Sequence, residues 1–313
     1  MSASGKLNAT FSRWPRCSRP EAPPCRHPFQ FLVEPALRPG YFPPVLVDFV
    51  KMNGAGNDFV LIDNRPQKIR LQPAQIARLC DRHRGVGADG LILLTPCPSG
   101  RADWAWDFFN RDGSPAEMCG NGARCFARFV RRLTGGSGHL TFETRAGLIT
   151  ARFDARTVTV SLTPPRDLRL RQRVPLSIGE TEIHSLNTGV PHAVLFVPDA
   201  DQAMVQALGA EIRHHPLFAP RGTNVNFVQV LAPGKIRVRT YERGVEGETL
   251  ACGTGVTASA LVAAELRGFP SPVRVQVRGG DELEVSFERA GGQWANVALA
   301  GPADFVFEGR IEV

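Results

Sequence analysis

The sequence lacks most of the features that would announce a partner. It has two Tyr and only 8% aromatic residues, little with which to stack bases. Its Arg residues are scattered, so the net charge of +7 reads as a solvated surface and no nucleic acid is expected. No apolar run approaches the roughly 18 residues of a membrane span; the longest lies near "ASALVAA" at 258–264, and no membrane association is expected. Gly54 and Gly56 lack the third glycine and the strand–turn–helix setting of a dinucleotide loop. Cys17, Cys25 and His27 match no usual zinc spacing, so no metal is expected. Seven Cys is an odd number without regular spacing, in a chain too long to need disulfide staples. Free thiols in a reducing cytoplasm are the natural expectation.

What is present is an ordinary globular composition, 43% apolar over 313 residues, enough for two domains. Residues 1–46 are dense in Pro and Arg and lack the apolar centre of a secretory signal. They read as a disordered extension or a mis-assigned upstream start. From Val47 onward the signals are mostly strands. "DFVLID" (58–63), "GLILL" (90–94), "HAVLFV" (192–197), "NFVQVL" (226–231), "KIRVRTY" (235–241) and "VRVQV" (273–277) are β-branched or alternating runs. Helical patterns are few: one runs from Pro73 through "AQIARLCDRH", others follow Cys119, begin near Asp201 and follow Cys252. This mix predicts an α+β fold rather than a βαβ repeat. After Cys119, Ala123, Phe126, Ala127, Val130 and Leu133 form an apolar face, with Arg124, Arg128, Arg131 and Arg132 expected in water. After Cys252 the pattern "GVTASALVAAEL" is apolar nearly all round, as expected of a helix enclosed by a sheet.

One phrase is written twice, "EMCGNGARC" at 117–125 and "LACGTGVTA" at 250–258. Each places a Cys at a helix N-terminus, where unpaired N–H groups and the positive dipole end lower a thiol pKa and attract a carboxylate. Gly120, Gly122, Gly253 and Gly255 remove Cβ atoms that would keep a ligand from those amides. The triplets "FNR" (109–111) and "YER" (241–243) precede the two units, which suggests a duplicated lobe with both cysteines facing one cleft. Two opposed thiols suit racemisation, one removing an α-proton as thiolate while the other delivers a proton to the opposite face. Such chemistry requires neither a metal nor pyridoxal phosphate. A single Cys before Gly is more often a small buried hydrophobe, the reading that Cys80 and Cys125 receive; repetition of the whole unit argues otherwise for Cys119 and Cys252. A non-catalytic binder holding an acidic small ligand in two nests is the rival from another class.

Six ordered blocks then carry a resemblance: "MNGAGNDF" (52–59), "RHRGVGADG" (82–90), "FNRDGSPAEMCGNGARCFARF" (109–129), "NTGVPHAV" (187–194), "GTNVNFVQV" (222–230) and "YERGVEGETLACGTG" (241–255). Together they resemble the diaminopimelate epimerase family, cofactor-independent enzymes of lysine and peptidoglycan precursor biosynthesis. The resemblance implies two pseudo-symmetric lobes, each a curved, mostly antiparallel sheet around a central helix. These would span 47–162 with a returning C-terminal strand at 301–313, and 163–300. It implies interconversion of LL- and meso-2,6-diaminopimelate in the cytoplasm by a homodimer, with Cys119 and Cys252 as the acid/base pair. Asn57, Asn110 and Asn224 would bind mainly the distal amino acid end of the substrate. Glu242 and Arg243 would meet ammonium and carboxylate groups, and the amides of Gly120, Asn121, Gly253 and Thr254 the reacting carboxylate.

Read in isolation, Asn57 and Asn224 are also good turn residues, Glu242 and Arg243 a solvated strand-edge pair, and His192 either a strand-entry residue or a site-wall donor. Some members of the family carry Gln in place of Gly90 and Asn in place of Val190. A racemase of another amino acid, such as histidine, is the nearest rival. The proline racemase branch fits less well, because its first motif has His where this chain has Asn121.

Overall fold

A computed structural model describes residues 44–136, 138–155 and 157–313. Nearly all of the extension expected over 1–46, with Cys17, Cys25 and His27, lies outside the described residues. The first part of the fold comprises β1 (Leu46–Gly54), β2 (Asn57–Asp63), α1 (Pro73–Cys80), β3 (Gly90–Thr95), β4 (Trp104–Asn110), α2 (Gly120–Thr134), β5 (His139–Thr144), β6 (Gly147–Phe153) and β7 (Val158–Ser161). The second comprises β8 (Arg166–Leu176), β9 (Gly179–Asn187), β10 (Pro191–Phe196), α3 (Val205–Arg213), β11 (Asn224–Ala232), β12 (Lys235–Glu242), β13 (Gly247–Thr249), α4 (Gly253–Arg267), β14 (Val273–Val277), β15 (Glu282–Ala290) and β16 (Gln293–Gly301). The last strand, β17 (Asp304–Glu312), returns to pair with β1.

Strand pairing repeats itself. Along β17-β1-β2-β3-β4-β5-β6-β7 the pairs are antiparallel, antiparallel, parallel, antiparallel, parallel, antiparallel and antiparallel. The run β8-β9-β10-β11-β12-β14-β15-β16 has the same series. The two runs join where β7 pairs antiparallel with β16. Even the short β13 on β12 has its counterpart in the isolated bridge between Phe109 and Pro115 beside β4.

Alternation along each strand sends side chains to two different layers. Phe59, Leu61, Ile92 and Leu94 join the cluster around α2, which contains Phe126 and Phe129; Val60, Ile62, Leu91 and Leu93 join Ile76 and Leu79 of α1. Helix α2 packs against β1, β2, β3, β6 and β7, strands from both ends of its run, and α4 likewise packs against β9 through β12, β14 and β15. Each run of strands therefore curls around one central helix, and the fold is α+β as the sequence predicts. No helix among the described residues is long and apolar enough to cross a membrane.

Local expectations are corrected at four places. Arg124 is fully buried rather than solvated, because the sheet encloses the first turns of α2 on all sides, while Leu133 emerges at the last turn and is 38% exposed. Helix α1 stops at Cys80 and does not reach His83. There the Asp81 carboxylate accepts from the N–H groups of His83 (2.8 Å) and Arg84 (2.7 Å), a local turn that competes with the helix. Helix α3 begins at Val205, after an Asp199 turn that holds the Asp201 N–H at 2.8 Å.

Candidate active site

Helices α2 and α4 match in detail. Each has 15 residues, begins at a Cys N-cap in extended conformation and ends at a glycine with φ 67° in the left-handed region (Gly135 and Gly268). The two N-termini abut. A methyl group built on Gly253 would lie 3.4 Å from the Gly120 Cα and 3.0 Å from Leu299 Cδ2, and one built on Gly120 would also meet Leu299 at 3.0 Å. Each motif glycine thus has its own reason. The first, at N1, lets the helix ends approach over Leu299. The second, at N3, makes room for a facing side chain: a methyl group built on Gly255 would lie 2.2 Å from Asn226 Oδ1, and one built on Gly122 3.2 Å from Ile92 Cδ1. Two helix N-termini sharing one spot concentrate unpaired N–H groups and positive dipole ends, an arrangement relieved by an anion.

Burial decides the thiol chemistry. Cys119 Sγ accepts from the Gly122 N–H at 3.5 Å, but burial pushes its pKa up to about 11, with the negative charge of Glu242 adding to the rise against the Gly122 hydrogen bond. Burial and then Glu242 raise Cys252 well above the ordinary thiol value, opposed by Thr254 and the Gly255 N–H. The expectation that a helix N-terminus lowers these pKa values is therefore outweighed by desolvation. Both thiols are unbonded to one another and protonated at neutral pH. Glu242 is itself raised by burial, with Thr249 and Cys252 opposing; Thr249 Oγ1 donates to its Oε1 at 2.7 Å. It ends β12, where it pairs with Gly247 of β13, and is not on a solvated edge.

The remaining predicted residues divide into two groups and one outlier. Asn57 and Asn121 stand at the helix ends: Asn121 Nδ2 donates to Asn57 Oδ1 (2.5 Å) and to the Ala251 carbonyl (3.2 Å), and Asn57 Nδ2 donates to Asp89 Oδ2 (3.1 Å). The Asn121 side chain is thus committed to the protein, which leaves its backbone N–H as the group for a ligand. Asn224 and Arg243 form a second group. Asn224 Oδ1 accepts from the Arg243 N–H (2.9 Å) and its Nδ2 donates to the Pro191 carbonyl (3.2 Å); burial and then the charges of Arg213 and Arg221 lower the Arg243 pKa, against Glu117 in the segment before Cys119. Asn110 is the outlier, exposed at the end of β4 with its side chain donating to Ser114 Oγ at 3.0 Å within its own turn.

His192 belongs beside Arg243. Burial, then the Arg243 charge, pushes its pKa down to about 3, so it is neutral. Its Nδ1 faces the Asn226 Nδ2 donor at 3.2 Å, which leaves the proton on Nε2, a buried atom with no protein partner. A site-wall donor fits this better than a strand-entry residue. Four supporting residues escaped the sequence reading: Asp89, which orients Asn57; Asn226, under Gly255; Thr188, whose Oγ1 donates to the Thr254 carbonyl at 2.9 Å; and buried Arg124. Asn226 alone left a signal, a polar residue on the inward face of an apolar strand. Gly90, where some relatives have Gln, has no space for a side chain: a methyl group there would lie 2.7 Å from the Phe109 carbonyl oxygen and 2.8 Å from Phe108 Cε2.

The sequence profile described as diaminopimelate epimerase matches residues 49–167 and 184–306. A diaminopimelate epimerase of Aquifex aeolicus (strain VF5) is 44% identical over 279 residues, covering 85% of this chain and 98% of the relative. One from Hydrogenobaculum sp. (strain Y04AAS1) is 43% identical, covering 83% and 97%. Among solved structures, a PhzF-family phenazine biosynthesis protein of Bacillus anthracis superposes with TM-score 0.66 at 14% identity, covering 85% of this chain and 99% of that one. A hydroxyproline epimerase from Agrobacterium vitis gives 0.64 at 19%, covering 86% and 93%. Those two share the fold; the sequence profile and the close relatives show that the chain belongs to the diaminopimelate epimerase family.

Proposed function

We propose that the protein interconverts LL- and meso-2,6-diaminopimelate by two-base proton transfer at one α-carbon. The observation that carries this reading is the meeting of two Cys-capped helix N-termini at Gly120 and Gly253. One cysteine, as thiolate, takes the α-proton; the C–H electron pair moves into the carboxylate to give an enediolate; the other thiol gives its proton to the opposite face. The amides of Gly120, Asn121, Gly253 and Thr254 face that growing negative charge. Each turnover leaves the two sulfurs with exchanged protonation, so the same pair works in both directions.

Substrate binding would also supply the thiolate. Glu242 raises both thiol pKa values, and an ammonium group placed against its carboxylate neutralises that effect. Arg243, Asn224 and His192 would hold carboxylate and amino groups of the substrate, and Asn110 the distal end, reached from its exposed turn. The halves 47–162 with 301–313 and 163–300 follow the strand pairing and would close on the substrate. Phe305, Val306 and Phe307 on the edge strand β17 are 36%, 56% and 50% exposed, a surface that supports a homodimer, and the free thiols suit the cytoplasm. Incubation of the purified protein with LL-diaminopimelate, histidine and proline, each followed by chiral chromatography, tests the substrate. Formation of meso-diaminopimelate with the other two unchanged is expected; conversion of histidine or proline alone would overturn it.

A further inference from the structure

Arg124 is the largest fully buried side chain among the described residues, and no carboxylate there lies within ion-pair distance of it. Three neutral acceptors hold its guanidinium: Nε donates to the Pro302 carbonyl (3.2 Å), Nη1 to the Gly120 carbonyl (3.3 Å) and Nη2 to Asn121 Oδ1 (3.0 Å). Gly301 borders this cavity: a methyl group built there would collide with Leu283 Cδ2 at 2.2 Å and press on Nε at 3.2 Å and Cζ at 3.3 Å. The acceptor Asn121 passes the connection on to the carbonyl of Ala251, the residue before Cys252. A cation buried among neutral dipoles costs stability unless an anion forms nearby. The ionisable groups around it are Cys125, Cys119 and, from the turn between β14 and β15, Asp281; Glu242 faces Cys119 from β12.

We infer that Arg124 is a positioning residue for the acid/base pair, setting the two helix ends in register through Asn121 and fixing a positive charge behind the anion nest that favours thiolate at Cys119. This rests on the two-thiol reading of the site. It differs from a packing role in its consequences. A rivet affects stability alone; a fixed charge also moves the titration of the thiol beside it. Arg124→Lys preserves the charge and loses the fork, whereas Arg124→Met loses both.

The test uses the full chain and follows Cys119 alkylation by iodoacetamide from about pH 6 to 10, read by peptide mass spectrometry, with melting temperature and steady-state epimerisation measured beside it. Arg124→Met is expected to shift the Cys119 profile upward by about one pH unit and to lower kcat by about ten-fold or more with a smaller change in KM. Arg124→Lys is expected to keep the wild-type profile and lose part of kcat. A folded Arg124→Met with an unshifted profile overturns the inference, as does a kcat loss that merely tracks melting temperature. If Arg124→Met does not fold, Arg124→Gln decides, because it keeps a side-chain amide donor for the neutral acceptors and loses the charge. Reduced kcat with a shifted profile supports the inference, and wild-type behaviour in both contradicts it. A wild-type chain that epimerises nothing would instead sink the two-thiol reading, and the alkylation profiles would still decide the charge effect.

Discussion

Glu242 stands under two opposing demands. Its charge disfavours the thiolate that the reaction needs, yet that charge is what would receive an ammonium group. Glu242→Gln should therefore separate binding from ionisation. With the negative charge gone, the raised pKa of Cys252 moves down and alkylation of Cys252 at fixed pH speeds up, while kcat/KM falls by about a hundred-fold for want of the ammonium partner. Slower alkylation of Cys252 in this variant would contradict the electrostatics described here. Residue-level legibility followed local chemistry. Cys119 and Cys252 were readable because a whole unit repeats around each, and Cys125 could be assigned to packing by its helical spacing. Arg124 was not: an Arg on a helix reads as solvated, and the carbonyls of Gly120 and Pro302 that receive it are set by tertiary structure. Asp89 was hidden for the same reason, since the Asn57 side chain and the Asp58 N–H that it accepts from belong to β2.

Helices α2 and α4 show how one motif meets two constraints. The N1 glycine answers to helix–helix approach and the N3 glycine to a facing side chain, Ile92 for α2 and Asn226 for α4. Gly253→Ala should destabilise the fold by about 1–3 kcal/mol through overpacking against Leu299 and depress turnover more than stability suggests, because the helix ends spread. Gly268→Ala, at the far end of α4, has no neighbour within 4 Å. It should cost about 1 kcal/mol from backbone strain alone and leave kcat unchanged. Denaturant titration beside kinetics distinguishes the two; equal kinetic defects would contradict the account. The central strands were legible from β-branched runs such as those of β3 and β14, whereas β8 was not. It is an edge strand carrying Arg166, Arg169, Arg171 and Arg173, with register shifts after Arg166 and Arg169. Such charges and bulges discourage pairing with another chain and erase the alternation by which a strand is recognised.

Across the whole molecule, strand pairing runs unbroken from β17 to β8 through the β7–β16 junction, so each half is held by its neighbour as well as by its own helix. Ion pairs anchor the β1–β2 end. Burial raises the Asp58 carboxyl, but Arg82 and Lys51 overcome that effect and hold it below the ordinary carboxylate range. A depressed folded-state pKa contributes stability above the unfolded value and loses it as pH falls. The melting temperature should thus drop below about pH 4. Asp58→Asn should remove about 3 kcal/mol at neutral pH and flatten that acid dependence; an unchanged acid profile would contradict this role. The repeated lobe was visible in the two Cys-Gly units, but the register that brings their helices together depends on contacts such as Leu299, far from either motif in sequence.

The most direct measurement of the central claim is α-deuterium incorporation from deuterated water during epimerisation of LL-diaminopimelate by the wild type and by Cys119→Ser and Cys252→Ser. Meso product carrying solvent deuterium at the inverted carbon is predicted for the wild type, with each single substitution lowering turnover by at least about a hundred-fold. Inversion that persists at the wild-type rate in either serine variant would contradict the paired-thiol account.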